Sequence, residues 1–314
     1  MNIIYNYASG PEFEQRLKNL AAEGFSIAVC PESDDERLFK LLEKADVLWH
    51  CLRPVDATVL GRAPELKLVQ KIGVGVNTID LETAKSRGIA VCNMPGTNSR
   101  AVAEHTLGLM LSVLRQIRRF DDDVRSHRGW RWSAVRQDRL REIHGSTVGL
   151  VGMGAVPHIL APMLAALGAT VLYTAQHEKP ELPYRYCTLE ELLGASQVVS
   201  LHLPLTSYTE AIINEGRLAL MPAGSVLINT ARGGLVDESA LVAALDTGHL
   251  AGAGLDVFCE EPLPDTHPLF GHSDVVLTPH VAWITRETLE RSLAVALENC
   301  QRLKNGQPLL HRVA

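Results

Sequence analysis

The sequence predicts an α/β protein with two parallel-sheet domains in series. Short β-branched runs alternate with amphipathic helical segments along the chain, and this alternation is typical of a parallel sheet covered by helices. A glycine-containing turn, VGMGAVPHILAP at residues 151–162, opens a second series of such segments in the middle of the chain. The length of 314 residues is enough for two domains of roughly 100–200 residues each.

The first series runs to about residue 97. Its predicted strands are IIYNY, SIAVC, DVLWHC, LKLVQKIG and IAVCN, and its predicted helices are FEQRLKNLAAEG, ERLFKLLEKA and LETAKSRG. Apolar residues at helical spacing then predict one long helix from Ser99 to Arg119. An irregular loop that contains Trp130 and Trp132 follows this helix.

The second series supplies the remaining predicted strands, TVGLVG, ATVLYTA, QVVSLHLP, GSVLINT, GAGLDVF and DVVLTPH, with helices such as LEELLGA and ESALVAAL between them. No sheet follows the last predicted helix, roughly Thr285 to Lys304, so we expect it to return to the first series. The predicted domains are therefore residues 1–97 plus 286–314, and residues 98–285.

Composition and charge exclude several classes of partner. A formal charge of −6 argues against nucleic-acid binding, which needs clustered positive charge. Arginines do gather between residues 115 and 141, but Asp121 to Asp123 lie among them, which favours a solvated or subunit-facing surface. Six scattered cysteines without a C-x-x-C pair predict neither a metal site nor disulfides and fit a reducing cytoplasm. We find no signal peptide and no apolar run of about 20 residues, so we expect no membrane anchoring.

Gly152 and Gly154 begin the pattern G-x-G-x-x-G of dinucleotide-binding turns. The first glycine of the pattern permits a tight turn, and the second lets the backbone approach the pyrophosphate. The phosphate would bind the N–H groups of Ala155 and Val156 and the positive end of the helix. The turn could also be merely structural, but its place between a strand and a helix favours a nucleotide, and so makes residues 98–285 the cofactor domain and the first series the substrate domain.

Two prolines depart from the usual pattern after the turn. Pro157 replaces the third glycine, and since proline is tolerated in a first helical turn we expect it to affect packing rather than phosphate binding. Pro162 lies one turn further on and is expected to kink the helix or end it early.

The end of the next strand indicates which dinucleotide would bind. An acidic residue about 20 positions after the turn usually holds the ribose hydroxyls of NAD, but here Ala175, Gln176 and His177 stand at the strand end. With no carboxylate to repel a 2′-phosphate, we favour NADP(H) over NAD(H), with help from His177, Lys179 or Arg185. An ordinary surface loop with a relaxed preference is the alternative.

Three polar segments stand at predicted strand ends of the second series, NTARGGLVDE (229–238), LDVFCEEPLP (255–264) and LTPHVAW (277–283). Each alone could supply a salt bridge or a structural histidine. Their joint position at the carboxyl ends of strands, where open α/β sheets bind ligands, favours a catalytic site.

With these segments the sequence resembles the D-isomer-specific 2-hydroxyacid dehydrogenase family over most of the chain. The further segments that carry the resemblance are IGVGVNTID (72–80), NMPGTNSRAVAEHTLGLML (93–111), TVGLVGMG (147–154) and SLHLPLT (200–206). The resemblance implies two Rossmann-like or flavodoxin-like parallel-sheet domains with the active site in the cleft between them. It also implies a homodimer formed through the Ser99 to Arg119 helix and the following loop.

The resemblance implies roles for particular residues. Arg232, Glu261 and His280 match the family's catalytic residues, and the backbone at Val74 and Gly75 matches its substrate-carboxylate loop. The positions that touch the cofactor in related enzymes, or belong to the turn and strand ends around it, are Thr97, Gly152, Gly154, Ala155, Val156, Ala175, Gln176, Pro204, Thr230, Ala231 and Asp256. Trp283 is similar to the tryptophan of hydroxypyruvate and glyoxylate reductases and would line the substrate, although it could simply pack.

The chemistry of these side chains agrees with reduction of a 2-oxo acid. Arg232 can hold a carboxylate and polarise a carbonyl by forked hydrogen bonds. His280 can donate a proton near neutral pH, and Glu261 can orient its ring, with Glu260 as a rival for that role. We therefore expect a cytoplasmic NAD(P)H-dependent reductase of a small acid such as hydroxypyruvate or glyoxylate, with no metal. The alternatives are a dinucleotide-sensing binding protein of corepressor type and, less favoured, formate or phosphite oxidation.

Overall fold

A computed structural model describes residues 1–127 and 137–314. Trp130 and Trp132 of the predicted loop, and three of the clustered arginines (Arg128, Arg131 and Arg136), lie outside the described residues. The strands are β1 (Asn2–Asn6), β2 (Ser26–Val29), β3 (Val47–His50), β4 (Leu68–Lys71), β5 (Ala90–Cys92), β6 (Thr147–Val151), β7 (Thr170–Thr174), β8 (Arg185–Tyr186), β9 (Val198–Leu201), β10 (Ser225–Asn229), β11 (Leu250–Leu255) and β12 (Val275–Leu277). The helices are α1 (Pro11–Asn19), α2 (Asp35–Leu42), α3 (Ala57–Gly61), α4 (Leu81–Ser86), α5 (Ser99–Leu114), α6 (Ile117–Arg125), α7 (Ala155–Ala166), α8 (Leu189–Ala195), α9 (Glu215–Leu220), α10 (Glu238–Asp246) and α11 (Arg286–Lys304).

The chain forms two compact units. Unit 1 contains Met1–Asn98 and Thr285–Ala314, and unit 2 contains Ser99–Ile284. Both are α/β units built on a parallel sheet, so the predicted fold class of two parallel-sheet domains is confirmed.

Unit 1 has a five-stranded sheet in the order β2-β1-β3-β4-β5, with every pair parallel. This is the flavodoxin-like order. β3 and β4 are buried along their whole length, as expected for central strands covered on both faces. The last helix, α11, belongs to this unit: its buried Asn299 donates to Gln70 Oε1 on β4 at 2.6 Å.

Unit 2 has a seven-stranded parallel sheet in the order β12-β11-β10-β9-β6-β7-β8. The chain builds outward from β6 through β7 to β8 and then returns to place β9 on the other side of β6. The strand order therefore reverses between β6 and β9, the place where open α/β sheets form a ligand crevice at the carboxyl ends of their strands. Apolar residues of β9, β10 and β11 lie on both faces of this sheet and fill the core.

The predicted single helix from Ser99 to Arg119 is wrong in its second half. α5 ends at Leu114, Gln116 takes a left-handed φ of 49°, and α6 begins at Ile117. The backbone N–H of Arg141 donates to the carbonyl of Leu114 at 3.0 Å and so replaces the bond that a continuing helix would make. The buried apolar face also ends with Val113 and Leu114, which leaves little packing to hold a continuation.

Of the two outcomes expected for Pro162, a kink or an early end of the helix, the early end is wrong. α7 continues four residues beyond it to Ala166. Proline cannot donate to the carbonyl four residues earlier, here that of His158, but both residues lie on the exposed side of α7, where water can bond that carbonyl. Leu160, Ala161 and Leu164 are buried on the opposite side and hold the helix on the sheet.

No helix within the described ranges is both long enough and apolar enough to cross a membrane.

Candidate active site

The glycine turn lies at the strand-order reversal of unit 2. Gly152 has a φ of +102°, and a Cβ added there would lie 2.7 Å from the backbone oxygen of His202, in the loop after β9. Only glycine fits this conformation and this close approach. The turn is therefore built so that the loops after β6 and β9 meet at their backbones.

Gly154 has a different reason to be glycine. It precedes α7 with an ordinary φ of −92°, and a Cβ there would meet no protein atom within 4 Å. The next two residues, Ala155 and Val156, begin α7, and first-turn N–H groups have no partner inside a helix. Open space beside these N–H groups fits a pyrophosphate that approaches the backbone closely.

The other predicted cofactor positions of unit 2 follow neighbouring strands of the same sheet. Pro204 follows β9, Thr230 and Ala231 follow β10, Asp256 follows β11, and Ala175 and Gln176 follow β7. The sheet brings all of them to its carboxyl edge. Thr97 lies in unit 1, where its hydroxyl donates to the carbonyl of Met94 at 3.2 Å and its own carbonyl accepts from Arg291 Nε at 2.7 Å.

Arg232 stands directly after β10 and is fixed through its own backbone. Its carbonyl accepts from Asn229 Nδ2 at 2.8 Å, and its guanidinium donates to the carbonyl of Ala231 at 2.5 Å. Burial lowers the pKa of the guanidinium, and the charge of Glu261 opposes this. Glu261 therefore acts on Arg232 electrostatically.

Glu261 and His280 form the closest acid–base pair at this edge. His280 Nδ1 lies 2.7 Å from Glu261 Oε2, and Glu261 Oε1 accepts from the N–H of Phe258 at 3.0 Å. Burial raises the pKa of Glu261, but the hydrogen bond to His280 and the charges of His280 and Arg232 outweigh it, so the pKa is lowered overall. The carboxylate is ionised at neutral pH and orients the imidazole, so that Nε2 is the nitrogen left for a substrate. Glu260, the rival, is exposed, as Glu261 is, but it is Glu261 that makes the bond to His280.

The backbone of the His280 loop is held in an uncommon conformation. His280 has a φ of +54°, in the left-handed region that few non-glycine residues occupy. Its N–H donates to the carbonyl of Asp256 at 2.8 Å, and its carbonyl accepts from Trp283 Nε1 at 3.0 Å. Trp283 is 7% exposed, so its indole supports His280 from within unit 2, and its predicted contact with substrate stays a prediction.

Sequence reasoning missed Gly233, which lies between the catalytic candidates. A Cβ on Gly233 would lie 1.9 Å from the carbonyl carbon of Phe258 and 2.4 Å from the backbone nitrogen of Cys259. The turn that carries Arg232 and the loop that carries Glu261 therefore touch backbone to backbone. The segment ARGG alone could not show this, because the contact joins two strand ends.

The predicted substrate-carboxylate loop lies in unit 1, directly after β4. Val74 is 46% exposed, and its carbonyl accepts from Asn93 Nδ2 at 3.0 Å. Gly75 follows it in the same loop. The structure thus places Arg232, Glu261 and His280 together in one unit, and Val74, Gly75 and Thr97 in the other.

Comparisons with known proteins identify the family to which the chain is similar. The family model for "D-isomer specific 2-hydroxyacid dehydrogenase, NAD binding domain" matches residues 107–282. The chain is 39% identical over 281 residues to a glyoxylate reductase of Aeropyrum pernix, covering 87% of this chain and 84% of that protein. It is also 39% identical over 264 residues to a D-3-phosphoglycerate dehydrogenase of Mycobacterium tuberculosis, covering 82% of this chain but only 49% of that protein.

A solved structure resembles the whole chain. The TT0316 protein from Thermus thermophilus is 39% identical, with a TM-score of 0.90 and complete coverage of both chains.

Proposed function

Because the chain belongs to the D-isomer specific 2-hydroxyacid dehydrogenase family, we propose that it reduces a small 2-oxo acid, glyoxylate or hydroxypyruvate, to the D-2-hydroxy acid. The chain is an oxidoreductase of this family and takes a nicotinamide dinucleotide. The observation that carries the proposal is the 2.7 Å pair of His280 and Glu261, at the same sheet edge as Arg232 and the glycine turn.

His280 is the proton donor in this proposal. A dinucleotide held at the glycine turn and the first turn of α7 would supply the hydride for the carbonyl carbon of the substrate. Nε2 of His280 gives a proton to the carbonyl oxygen, so that hydride and proton together make the hydroxyl-bearing carbon. Glu261 holds Nδ1 and balances the positive charge of the imidazolium before the proton leaves. In the oxidative direction the same nitrogen takes the proton back.

Arg232 and the loop of unit 1 would hold the substrate. The guanidinium presents N–H donors in a fork that matches a carboxylate or the adjacent carbonyl oxygen. The backbone at Val74 and Gly75 would take the other side of the carboxylate. In this proposal residues 1–97 plus 286–314 are the substrate domain, and residues 98–285 are the cofactor domain.

The small substrate is supported by a relative that acts on one: a glyoxylate reductase is 39% identical to this chain over 281 residues. Trp283, held against the carbonyl of His280, adds bulk beside the proton donor. A dinucleotide-sensing role without turnover is not favoured by these relatives.

We propose NADP(H) rather than NAD(H) as the preferred cofactor. Ala175 directly follows β7, at the strand end where a carboxylate would bind the ribose hydroxyls of NAD, and the following Gln176 and His177 are exposed. Glu178, the nearest carboxylate after them, lies four residues beyond the end of β7 at Thr174. The absence of a carboxylate at position 175 leaves room and favourable electrostatics for a 2′-phosphate.

The test is the consumption of NADPH, and separately of NADH, with glyoxylate, hydroxypyruvate, pyruvate and phenylpyruvate, together with the oxidation of D-3-phosphoglycerate. We expect the highest kcat/KM with glyoxylate or hydroxypyruvate and NADPH.

Ala175→Asp should lower kcat/KM for NADPH about tenfold or more, the loss expected when a charged hydrogen-bonding group meets a like charge. Ala175→Asn, of the same size without the charge, is the control. Equal effects of the two variants would contradict the cofactor argument, and turnover of D-3-phosphoglycerate alone would contradict the substrate assignment.

We also propose a cytoplasmic homodimer. The cysteines are free, and five of them are buried, which fits a reducing compartment. Leu111, Ile117 and Val124 expose 37%, 53% and 54% of their surface on α5 and α6, an apolar face that a second copy would cover. Light scattering on the purified chain would measure the dimer mass, and charged substitutions at Ile117 and Val124 should yield the monomer.

A further inference from the structure

We propose that Thr278 and His105 are positioning residues, which hold the loop of His280 by way of the buried carboxylate of Asp256. The proposal rests on the proposed function for its kinetic readout only. It identifies two residues, far apart in sequence, that set the position of the proton donor without touching the substrate.

The carboxylate of Asp256 lies at the centre of a hydrogen-bond network. Its side chain is 1% exposed. Oδ1 accepts from the hydroxyl of Thr278 at 2.5 Å and from the N–H of Val281 at 2.9 Å, and Oδ2 accepts from the N–H of Ala282 at 2.9 Å. Since Val281 and Ala282 directly follow His280, this one carboxylate fixes the backbone on the C-terminal side of the proton donor.

The acceptors in this network determine where its hydrogen atoms lie. Thr278 Oγ1 lies 2.5 Å from the Asp256 carboxylate and 3.0 Å from His105 Nε2. A hydroxyl has one hydrogen, and a carboxylate can only accept, so the hydroxyl donates to Asp256 and accepts from His105. His105 therefore carries its hydrogen on Nε2. The same Nε2 lies 3.6 Å from Asp256 Oδ1. The ring N–H of His105 and the hydroxyl of Thr278 therefore both lie on the Oδ1 side of the carboxylate.

The network opposes backbone strain at His280. The φ of +54° at His280 is unfavourable for a residue with a side chain and persists only where the surroundings over-determine it. On the N-terminal side, the N–H of Thr278 donates to the carbonyl of Leu255 at 2.9 Å, and His280 N donates to the carbonyl of Asp256 at 2.8 Å. The Thr278 hydroxyl joins this side of the loop to the carboxylate that holds the other side.

The kinetic test compares Thr278→Val, which keeps the shape and removes the hydroxyl, with Thr278→Ser, which keeps the hydroxyl. We expect kcat to fall about 10- to 100-fold in the valine variant, because a displacement of about 1 Å at a reacting group has an effect of this order. The kcat of the serine variant should stay within about threefold of the wild type.

A double-mutant cycle separates positioning from a general loss of structure. In a His280→Ala background the valine substitution should leave the residual kcat unchanged, because the group that it positions is absent. An equal fold-loss in both backgrounds, or equal losses in the valine and serine variants, would overturn the proposal.

A spectroscopic arm does not depend on turnover. In ¹⁵N-histidine-labelled protein, the signal lost in His280→Ala identifies the ring that donates Nδ1–H to Glu261, and the signal lost in His105→Gln identifies the Nε2–H tautomer. We expect the His280 signal to persist in Thr278→Ser and to broaden or shift in Thr278→Val. A wild type with no turnover would refute the proposed function, whereas an unchanged His280 signal in Thr278→Val, or an Nδ1–H tautomer at His105, would refute the positioning role.

Discussion

Substitution of Gly233 by alanine tests whether the backbone contact between the two catalytic segments holds the site together. The added Cβ would lie 1.9 Å from the carbonyl carbon of Phe258, whereas ordinary contact begins at 3.4 Å, so the two segments must separate by about 1.5 Å (3.4 − 1.9). Because the obstacle is backbone and not the end of a flexible side chain, the loop that carries Glu261 has to move away from Arg232.

The expected loss is large. A displacement of about 1 Å in a catalytic group lowers the rate by about 100-fold, or roughly 2.7 kcal/mol of activation free energy, so we expect kcat to fall by at least about this factor. Overpacking of this kind also lowers the free energy of unfolding by roughly 1–3 kcal/mol. The assay is steady-state reduction of glyoxylate with NADPH at saturating cofactor, combined with thermal unfolding.

Gly234→Ala is the matched control. Its Cβ would meet only the side-chain tip of Leu205, at 3.0 Å and 3.2 Å, which can give way by a few tenths of an ångström. We expect its kcat to stay within about threefold of the wild type. A kcat for Gly233→Ala within threefold of that for Gly234→Ala would refute the argument that this backbone contact positions the catalytic groups.

Three other substitutions address the cofactor turn, the acid–base pair and the half-buried His202. Gly154→Ala should leave thermal stability unchanged, since the Cβ meets no protein atom, yet raise the Kd of NADPH at least about tenfold by calorimetry, because it displaces a charged phosphate from its N–H donors; an unchanged Kd would mean that no phosphate approaches there. Glu261→Gln should lower kcat about 100-fold or more, because a neutral partner no longer balances the imidazolium, while substrate-free cofactor affinity stays the same; a kcat within threefold of the wild type would contradict the role of Glu261. Burial lowers the pKa of His202 from 6.5 to about 3, so between these pH values the unfolded chain binds a proton at this histidine and the folded chain does not. The contribution of neutral His202 to the free energy of unfolding is therefore fully present above pH 6.5. It is lost, at up to about 1.4 kcal/mol per pH unit, as the pH falls from 6.5 toward 3. Denaturant unfolding between pH 7 and pH 5 should therefore be less pH-dependent in His202→Asn than in the wild type, and parallel pH profiles would contradict the burial argument.

The sheets could be predicted from the sequence because their strands are short, buried and bounded by turns. TVGLVG and GSVLINT are such runs, and the structure contains them as β6 and β10. The two-residue β8 was missed because Arg185–Tyr186 carries no apolar periodicity. The break at Gln116 was missed because it depends on a bond from Arg141, 25 residues from that position, which no local pattern contains.

Some residues of the candidate site could also be predicted from the sequence, and others could not. Arg232, Glu261 and His280 stand in distinctive segments at strand ends, so their common edge follows from a parallel sheet. Thr278 and His105 lie 173 residues apart, and Gly233 acts through a contact with Phe258. Such roles depend on contacts between loops that are far apart in the sequence. These contacts leave no local pattern from which they could be predicted.

The interrupted layout of unit 1 has a consequence for biosynthesis. Its two segments are separated by the 186 residues of Ser99–Ile284, and a translating ribosome must make all of these before α11 emerges. Until then Gln70 lacks its buried partner Asn299, and Val91 lacks the carbonyl of Ala314 to which its N–H donates at 3.0 Å. Unit 2, which is continuous in sequence, has all its strands before the second segment of unit 1 is synthesised. Unit 1 is therefore completed after unit 2 although its first segment is made before it, so a nascent chain would expose an unfinished β5 edge while unit 2 is being synthesised.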